Sequence, residues 1–134
     1  VDASTPTGWA EIQRIRSTTP IASELLGVSI AVSSDGTTMV AGANGYSSYT
    51  GAAYIYIKSG DVWVQTQKLL GISASDDFGY SVAISNDGSI IAIGAYGRSS
   101  STGAVYIYTK SGTVWSLTQT LSGVSSNNFF GFCK

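Results

Sequence analysis

The sequence contains no histidine and a single cysteine, and these shortages exclude several classes of chemistry. Ser-His-Asp and Cys-His nucleophilic arrangements require histidine, and so does every metal site that uses an imidazole ligand. The lone cysteine, Cys133, cannot form an internal disulfide, so it is either a free thiol or half of an intermolecular bridge. We therefore expect no enzymatic activity, no cofactor and no metal site.

Charged residues are also scarce. Asp, Glu, Lys and Arg make up 11% of the 134 residues, and the net charge is −1, whereas about 25% charged residues is typical of soluble domains. The Lys and Arg residues are scattered, so there is no basic stripe for nucleic acid. No apolar run approaches the roughly 18 residues of a membrane span, and we expect no membrane insertion. The chain begins at Val1 without a signal-peptide pattern, which we interpret as a removed leader or a piece of a longer chain.

The main positive signal is an internal repeat. Gly27 and Gly79 stand 52 residues apart, as do Trp63 and Trp115, and many further positions match in the same register. A period of this length is typical of repeat architectures. An immunoglobulin sandwich or a jelly roll would lack this self-match, and a β-solenoid would have a shorter period.

Within one period, apolar residues recur at every second position, which predicts β-strands. In the second period, strands are expected at 80–85, 89–95, 104–110 and 114–121, with a hairpin turn at "NDG" (86–88). The strand at 89–95 is mostly apolar, which predicts burial on both of its faces. Four antiparallel strands in about 50 residues is the size of one β-propeller blade. The sequence thus predicts an all-β fold of β-propeller blades.

The order of short motifs in the repeat resembles that of a known family. The string "FGYSVAIS…DG…IAIGA…GAVYIY…W…TQTLSG" resembles the FG-GAP repeat of integrin α-subunit propellers, and is most similar to the form found in microbial and viral surface proteins. The resemblance implies one repeat domain over residues 1–134, with two full blades and a terminal half-blade strand at each end. Its parts are an outer strand at 8–15, blades at 26–71 and 78–123, and a first strand at 129–132.

The acidic residues are interpreted as structural. Integrin-type repeats often carry a calcium loop, but Asp35 and Asp87 each stand as the only carboxylate of their turns. Calcium needs several carboxylates among six to eight oxygens, so we interpret both residues as turn formers. Asp76 and Asp77 could in principle form an acid/base pair. The repeat aligns Asp76 with Glu24, and a polar residue at this position in both repeats favours a cap or turn at the start of the first strand.

The polar loops at 44–50 and 96–102 differ between the repeats, and the resemblance places them on the face that propellers commonly use for recognition. Tyr46, Tyr49 and Arg98 are therefore the candidate ligand contacts, for a glycan or a protein. The alternative is that these are variable loop residues without a partner.

Two blades cannot close a ring, since propellers have about four to eight. We therefore expect either part of a longer propeller or a subunit completed by other copies, as a homo-oligomeric ring or an open filament. The candidate assembly residues lie at the two ends of the chain and are Trp9, Ile12, Phe129, Phe130, Phe132 and Cys133.

Three functions are compatible with these features. The first is a non-catalytic structural or adhesion module, extracellular or on a cell or virion surface, that assembles through strand and blade-face pairing. The second is a carbohydrate-binding lectin formed by an oligomeric propeller. The third is an enzyme whose catalytic part lies outside this sequence.

Overall fold

The computed structural model describes residues 11, 13–16, 23–125, 127 and 130–132. Nearly all of the regular structure is β-strand, arranged in two sheets that follow one another along the chain. The first sheet, called sheet 1, contains β1 (Ser29–Val32), β2 (Thr38–Ala43), β3 (Ala52–Ser59) and β4 (Val62–Leu70). Sheet 2 contains β5 (Phe78–Ile84), β6 (Ile90–Ala95), β7 (Ala104–Ser111) and β8 (Val114–Ser122).

Each sheet is an antiparallel meander in which every strand pairs with the next one in the chain. The two sheets share their register: Ile55 lies opposite Gln67 in sheet 1, as Ile107 lies opposite Gln119 in sheet 2. Both fourth strands carry a β-bulge beside that isoleucine, with Thr66 and Thr118 as the extra residues. The predicted all-β fold of four-stranded antiparallel sheets is confirmed.

Only two single-turn segments interrupt the strands of the described part: α1 (Tyr46–Tyr49) and α2 (Arg98–Ser101). They lie in the polar loops between the second and third strands of each sheet. Residues 47–49 and 99–101 have positive φ, so each segment is locally left-handed. No helix among the described residues is long and apolar enough to cross a membrane.

The main core lies between the sheets. Side chains alternate along each strand, so each sheet has two faces. We call one the forward face: in sheet 1 it is the face that packs against sheet 2, and in sheet 2 it is the equivalent face. The opposite face of each sheet is its rear face. The forward face of sheet 1 packs against the rear face of sheet 2. The core residues from the two faces are Val40, Ala53, Ile55 and Leu69 of sheet 1 and Ile91, Ile93, Tyr106, Tyr108 and Trp115 of sheet 2.

A second cluster covers the rear face of sheet 1. It contains Met39, Ala41, Tyr54 and Tyr56, with Ile15 and Leu26 packed against it. All six residues of β2 are buried. The predicted burial of the strand at 89–95 on both faces is wrong for β6, in which Ile90 is exposed and Ala92 is half-buried. The reason is that sheet 1 has sheet 2 in front of it, whereas the described structure places no further sheet in front of sheet 2.

Candidate functional site

The contacts that join the two sheets define the first candidate site. The side-chain amide of Gln67 in β4 binds the backbone of Trp115 in β8 with both of its ends. Its Nε2 donates to the Trp115 carbonyl at 2.9 Å, and its Oε1 accepts from the Trp115 N–H at 2.9 Å. We call this pair of hydrogen bonds the glutamine clamp.

The glutamine clamp occurs a second time, on the opposite side of sheet 1. Gln13 Nε2 donates to the Trp63 carbonyl at 3.1 Å, and Gln13 Oε1 accepts from the Trp63 N–H at 2.8 Å. Ile15 packs on the rear face of sheet 1. Residues 13–15 thus contact sheet 1 as residues 67–69 of β4 contact sheet 2.

The inner strands meet through a glycine contact. The Gly79 carbonyl oxygen approaches Gly42 so closely that a Cβ on Gly42 would lie 1.8 Å from it, and this oxygen also accepts from Ser29 Oγ at 2.9 Å. Gly51 and Phe78 form a parallel bridge beside this contact. The absence of a Cβ at Gly42 is what permits the approach.

The same contact recurs beyond sheet 2. Ser81 Oγ donates to the Gly131 carbonyl at 2.9 Å, and Gly103 forms a parallel bridge with Phe130. A Cβ on Gly94 would lie 2.3 Å from the Gly131 oxygen. Residues 130–132 therefore lie on sheet 2 as residues 78–80 lie on sheet 1.

Two of the predicted assembly residues fall within the described structure. Phe130 is 37% exposed and forms the bridge to Gly103, while Phe132 is 49% exposed and stacks on the Tyr80 ring, with 5.2 Å between centroids. Trp9, Ile12, Phe129 and Cys133 lie outside the described residues. The sequence analysis did not single out the clamp glutamines, although a glutamine follows each tryptophan by four positions at 9/13, 63/67 and 115/119.

Two grooves lie on the outward faces of the sheet pair. The groove on the rear face of sheet 1 has a volume of about 340 Å³, and its lining includes Gln13, Ile15, Leu26, Tyr56 and Trp63. The groove on the forward face of sheet 2 has a volume of about 300 Å³, and its lining includes Ser81, Ala83, Ala92, Gly94, Val105 and Gly131. They occupy the two surfaces that correspond to the halves of the internal interface.

Equivalent residues on the two forward faces differ in burial. Leu69 of sheet 1 is 6% exposed, whereas Leu121 of sheet 2 is 38% exposed. Ile55 is completely buried, whereas Ile107 is half-buried. The forward face of sheet 2 is therefore an apolar surface of the interface type that the described structure leaves partly open.

A polar pocket at the loop end of sheet 2 is the second candidate site. It has a volume of about 640 Å³ and is lined by residues 73–77 and 96–101. Arg98 Nη1 donates to Asp76 Oδ2 at 3.1 Å, and the same oxygen accepts from the Ser73 N–H at 3.0 Å. The predicted capping role of Asp76 is confirmed, because its carboxylate closes the turn before β5.

Asp77 also serves a structural role beside this pocket. Its Oδ1 accepts from Asn44 Nδ2 at 2.8 Å, which ties the connector between β4 and β5 (residues 71–77) to the residue that directly follows β2. Burial raises the pKa of Asp77, and the hydrogen bonds from Asn44 and Tyr96 oppose that rise. The two neighbouring carboxylates thus have separate partners rather than a shared proton.

The three predicted ligand contacts lie in different surroundings. Arg98 lines the polar pocket, Tyr49 is 44% exposed, and the Tyr46 ring lies 3.9 Å below the ammonium group of Lys68. The pocket brings Arg98 together with the connector, while Tyr46 packs against the rear cluster of sheet 1. Ligand binding by these residues stays a prediction.

Glu24, the residue of the first repeat that corresponds to Asp76, has a different hydrogen-bond partner. Its buried carboxylate accepts a hydrogen bond from the Tyr54 hydroxyl. In sheet 2 the shorter Asp76 is bonded by Arg98 instead, and the buried hydroxyl of Tyr106 has no hydrogen-bond partner among the described residues. The acid is one methylene shorter in sheet 2, and Arg98 stands where sheet 1 has Tyr46.

The two hairpin carboxylates are turn formers, as predicted. Asp35 Oδ1 accepts from the Ser33 and Thr37 hydroxyls and from the Thr37 N–H. The hydrogen bond from Ser33, followed by those from Thr37, lowers the pKa of Asp35. Asp87 has the same pattern with Ser85 and Ser89. Within the described ranges, no group of three or more acidic or thiol side chains could hold a metal ion.

The repeated sheets and their repeated interface define a protein built from propeller-type β-sheet units. Residues 63–108 match the family model of the FG-GAP repeat, and this match is consistent with an FG-GAP repeat family. FG-GAP repeats form propeller-type modules that are generally non-catalytic and typically extracellular or at a surface. No curated protein matches the sequence.

Proposed function

We propose that this protein is a non-catalytic structural or adhesion module, extracellular or on a surface, whose sheets pack against further FG-GAP sheets. Those sheets belong to other copies of the chain or to the rest of a longer propeller. The proposal is carried by one observation: both outward faces of the sheet pair repeat contacts of the internal interface.

The apolar character of the forward face supports the proposal. Burial of apolar side chains such as Leu121 and Ile107 away from water lowers the free energy. Open propeller faces and sheet edges favour association. Their counterparts in sheet 1 are already buried against sheet 2. A further sheet would bury this face in the same way.

The experiment is native mass spectrometry together with sedimentation velocity over the micromolar to submillimolar range. We expect dimers or larger assemblies whose population grows with concentration. Val105→Asp, which places a charge in the groove of sheet 2, should abolish them. Val114→Asp is the matched control, because Val114 is 54% exposed at the start of the outer strand and lies outside the residues of that groove. A folded monomer at every concentration would contradict assembly between copies.

The surface location needs its own measurement. Intact cells that produce the protein should expose it to a membrane-impermeant amine reagent, because it carries accessible lysines such as Lys58 and Lys110. Labelling that appears only after lysis would contradict the extracellular assignment.

A second candidate function is carbohydrate binding, and the polar loop pocket favours it. The pocket combines the guanidinium of Arg98 with several serine hydroxyls and the Tyr96 ring. These are donors, acceptors and an apolar surface that suit a polyhydroxylated ligand. On a glycan array, Arg98→Ala should abolish binding, whereas Arg14→Ala, which removes an exposed guanidinium paired with Glu11, should not. Absence of binding to every glycan would leave only the structural function.

A further inference from the structure

We propose that a second copy of this chain docks its sheet 1 on sheet 2 in the register of the internal interface, so that Gln119 clamps the second copy's Trp63 in place of that copy's Gln13. This inference rests on the proposed function and names the partner, the faces and the register. It predicts that Gln13 of one copy and Gln119 of its neighbour compete for the same Trp63 backbone.

Gln119 occupies the position in sheet 2 that Gln67 occupies in sheet 1. Each glutamine lies opposite the isoleucine beside the bulge. The threonine just before it binds that isoleucine's carbonyl in both sheets, Thr66 at 3.3 Å and Thr118 at 3.1 Å. The amide of Gln119 is exposed and has no hydrogen bond within the described part of the chain. Gln119 therefore has the position of a clamp residue, but no described tryptophan backbone lies against it.

The rest of the forward face of sheet 2 has the composition needed for the same contact. Ser81 and Gly94 stand where Ser29 and Gly42 accept the inner strand of the next sheet. Leu121 stands where Leu69 fills the core between the sheets. A docked sheet would meet the same hydroxyl, the same glycine and the same apolar side chain.

The rear face of sheet 1 offers the matching half. Trp63 stands where Trp115 stands, so its backbone is the one to be clamped. Tyr56 stands where Tyr108 stands, and both tyrosines are buried. Trp63 is half-buried whereas Trp115 is only 3% exposed, and the groove of about 340 Å³ lies beside it. The groove corresponds to the space that Val40 and Ile55 fill at the internal interface.

Docking in this register requires two segments to move aside. Residues 13–16 already clamp Trp63 in the docking copy, and residues 130–132 already cover Gly94 in the receiving copy. Each is tethered, which gives it an effective concentration of about millimolar at its own site. Among the described residues, the first segment contacts sheet 1 through one clamp and one apolar side chain. The second contacts sheet 2 through a bridge, a hydrogen bond from Ser81, a backbone hydrogen bond to Thr102 and the ring contacts of Phe132 with Tyr80 and Tyr96. A docked sheet supplies the same contacts and adds the side chains of whole strands.

The contact is heterologous, since a forward face meets a rear face. Repetition of one such contact generates a ring if the rotation closes and a filament if it does not. In either case every copy uses both of its outward faces. Association is therefore expected to extend beyond a dimer as the concentration rises.

The test is sedimentation velocity of the full chain and three variants. Gln119→Ala removes the two hydrogen bonds of the new clamp and should weaken association by about tenfold. Gln13→Ala removes the internal competitor and should strengthen association by a similar factor. Thr120→Ala is the matched control: it alters the neighbouring residue, which lies opposite Tyr106 on the other side of β8, and should change nothing.

The outcomes separate this inference from the proposed function. If Gln119→Ala and Gln13→Ala both leave the strength of association unchanged, the proposed register is overturned while the assembly proposal stands. Weakening by Gln13→Ala would overturn the competition, because it would mean that residues 13–16 help the contact. If neither the wild type nor any variant associates, the assembly proposal itself fails, and this inference fails with it. Circular dichroism of each variant should match the wild type, since Gln119 is exposed.

Discussion

The glycine contact between the sheets allows a quantitative test of the interface. In Gly42→Ala, the new Cβ would lie 1.8 Å from the Gly79 oxygen and 2.6 Å from Ser29 Oγ. Ordinary contact begins near 3.4 Å, so the sheets would have to separate by about 1.6 Å at this point. The atom in the way is backbone, so rotation of a side chain cannot relieve the clash.

Two effects of opposite sign decide the result. Gly42 does not have positive φ, so alanine stabilises by about 0.4–1 kcal/mol through the unfolded chain. Overpacking costs about 1–3 kcal/mol, and loss of the Ser29–Gly79 hydrogen bond adds about 1 kcal/mol. The net expectation is a decrease of about 1–3.6 kcal/mol in the free energy of unfolding, measured by urea denaturation.

Gly94→Ala is the matched substitution in sheet 2. Its Cβ would meet the Gly131 oxygen at 2.3 Å, but the described structure holds residues 130–132 by only a few contacts, so they can move away. The loss should be about 1 kcal/mol or less, chiefly the Ser81 hydrogen bond. Equal losses for the two variants, or a more stable Gly42→Ala, would refute the view that a packed sheet makes the first contact rigid.

Four further predictions concern buried and titrating groups. Tyr54→Phe should cost about 1–3 kcal/mol because it leaves its buried carboxylate partner without that hydrogen bond. Tyr106→Phe should change stability by less than about 0.5 kcal/mol or increase it, because no described residue hydrogen-bonds that hydroxyl. Asp77→Asn should stabilise at neutral pH, because burial raises the pKa of Asp77 and so disfavours its charged form in the folded state. The gain should vanish as the pH falls below 3.8, and a gain that does not depend on pH would contradict this cause. Asp87→Asn should have the opposite sign, because the hydrogen bond from Ser89 lowers the pKa of Asp87 and its stabilisation is lost as the pH falls through the folded value.

The sequence predicted the strands because their cause is local. Alternating side chains and an Asp-Gly pair determine a hairpin almost alone, and the Asp87 turn confirms it. The left-handed turns were not predictable in this way. Ser99, Ser100 and Ser101 adopt φ of 53°, 56° and 65°, although non-glycine residues disfavour this region. In the equivalent loop of sheet 1, tertiary hydrogen bonds to backbone carbonyls, such as the one from the Asp77 N–H to Tyr49 at 2.7 Å, stabilise the turn.

The partners of the buried acids were equally hidden in the sequence. The repeat aligns Glu24 with Asp76, which predicts one role for both, but Asp76 accepts from the Ser73 N–H of its turn while Glu24 accepts from the Tyr54 hydroxyl. It does not reveal that the shorter acid recruits Arg98 from a loop, because that choice depends on side-chain length and on the distance between loops. The candidate pocket exists for this reason in sheet 2, where Arg98 and the connector face each other.

The phase of the family match bears on what the repeat specifies. The matched segment begins at Trp63 in β4 and ends at Tyr108 in β7, so it straddles the two sheets. It contains Gln67 and Phe78, which make the contacts between the sheets, together with most of the rear face of sheet 2. A sequence unit that starts in the last strand of one sheet and ends in the third strand of the next contains the residues of the interface between two sheets, and it does not contain one whole sheet. Each added unit therefore brings the means of joining the next sheet. The clamp and the glycine contact reappear at residues 13 and 131 because those residues belong to neighbouring units of the same pattern.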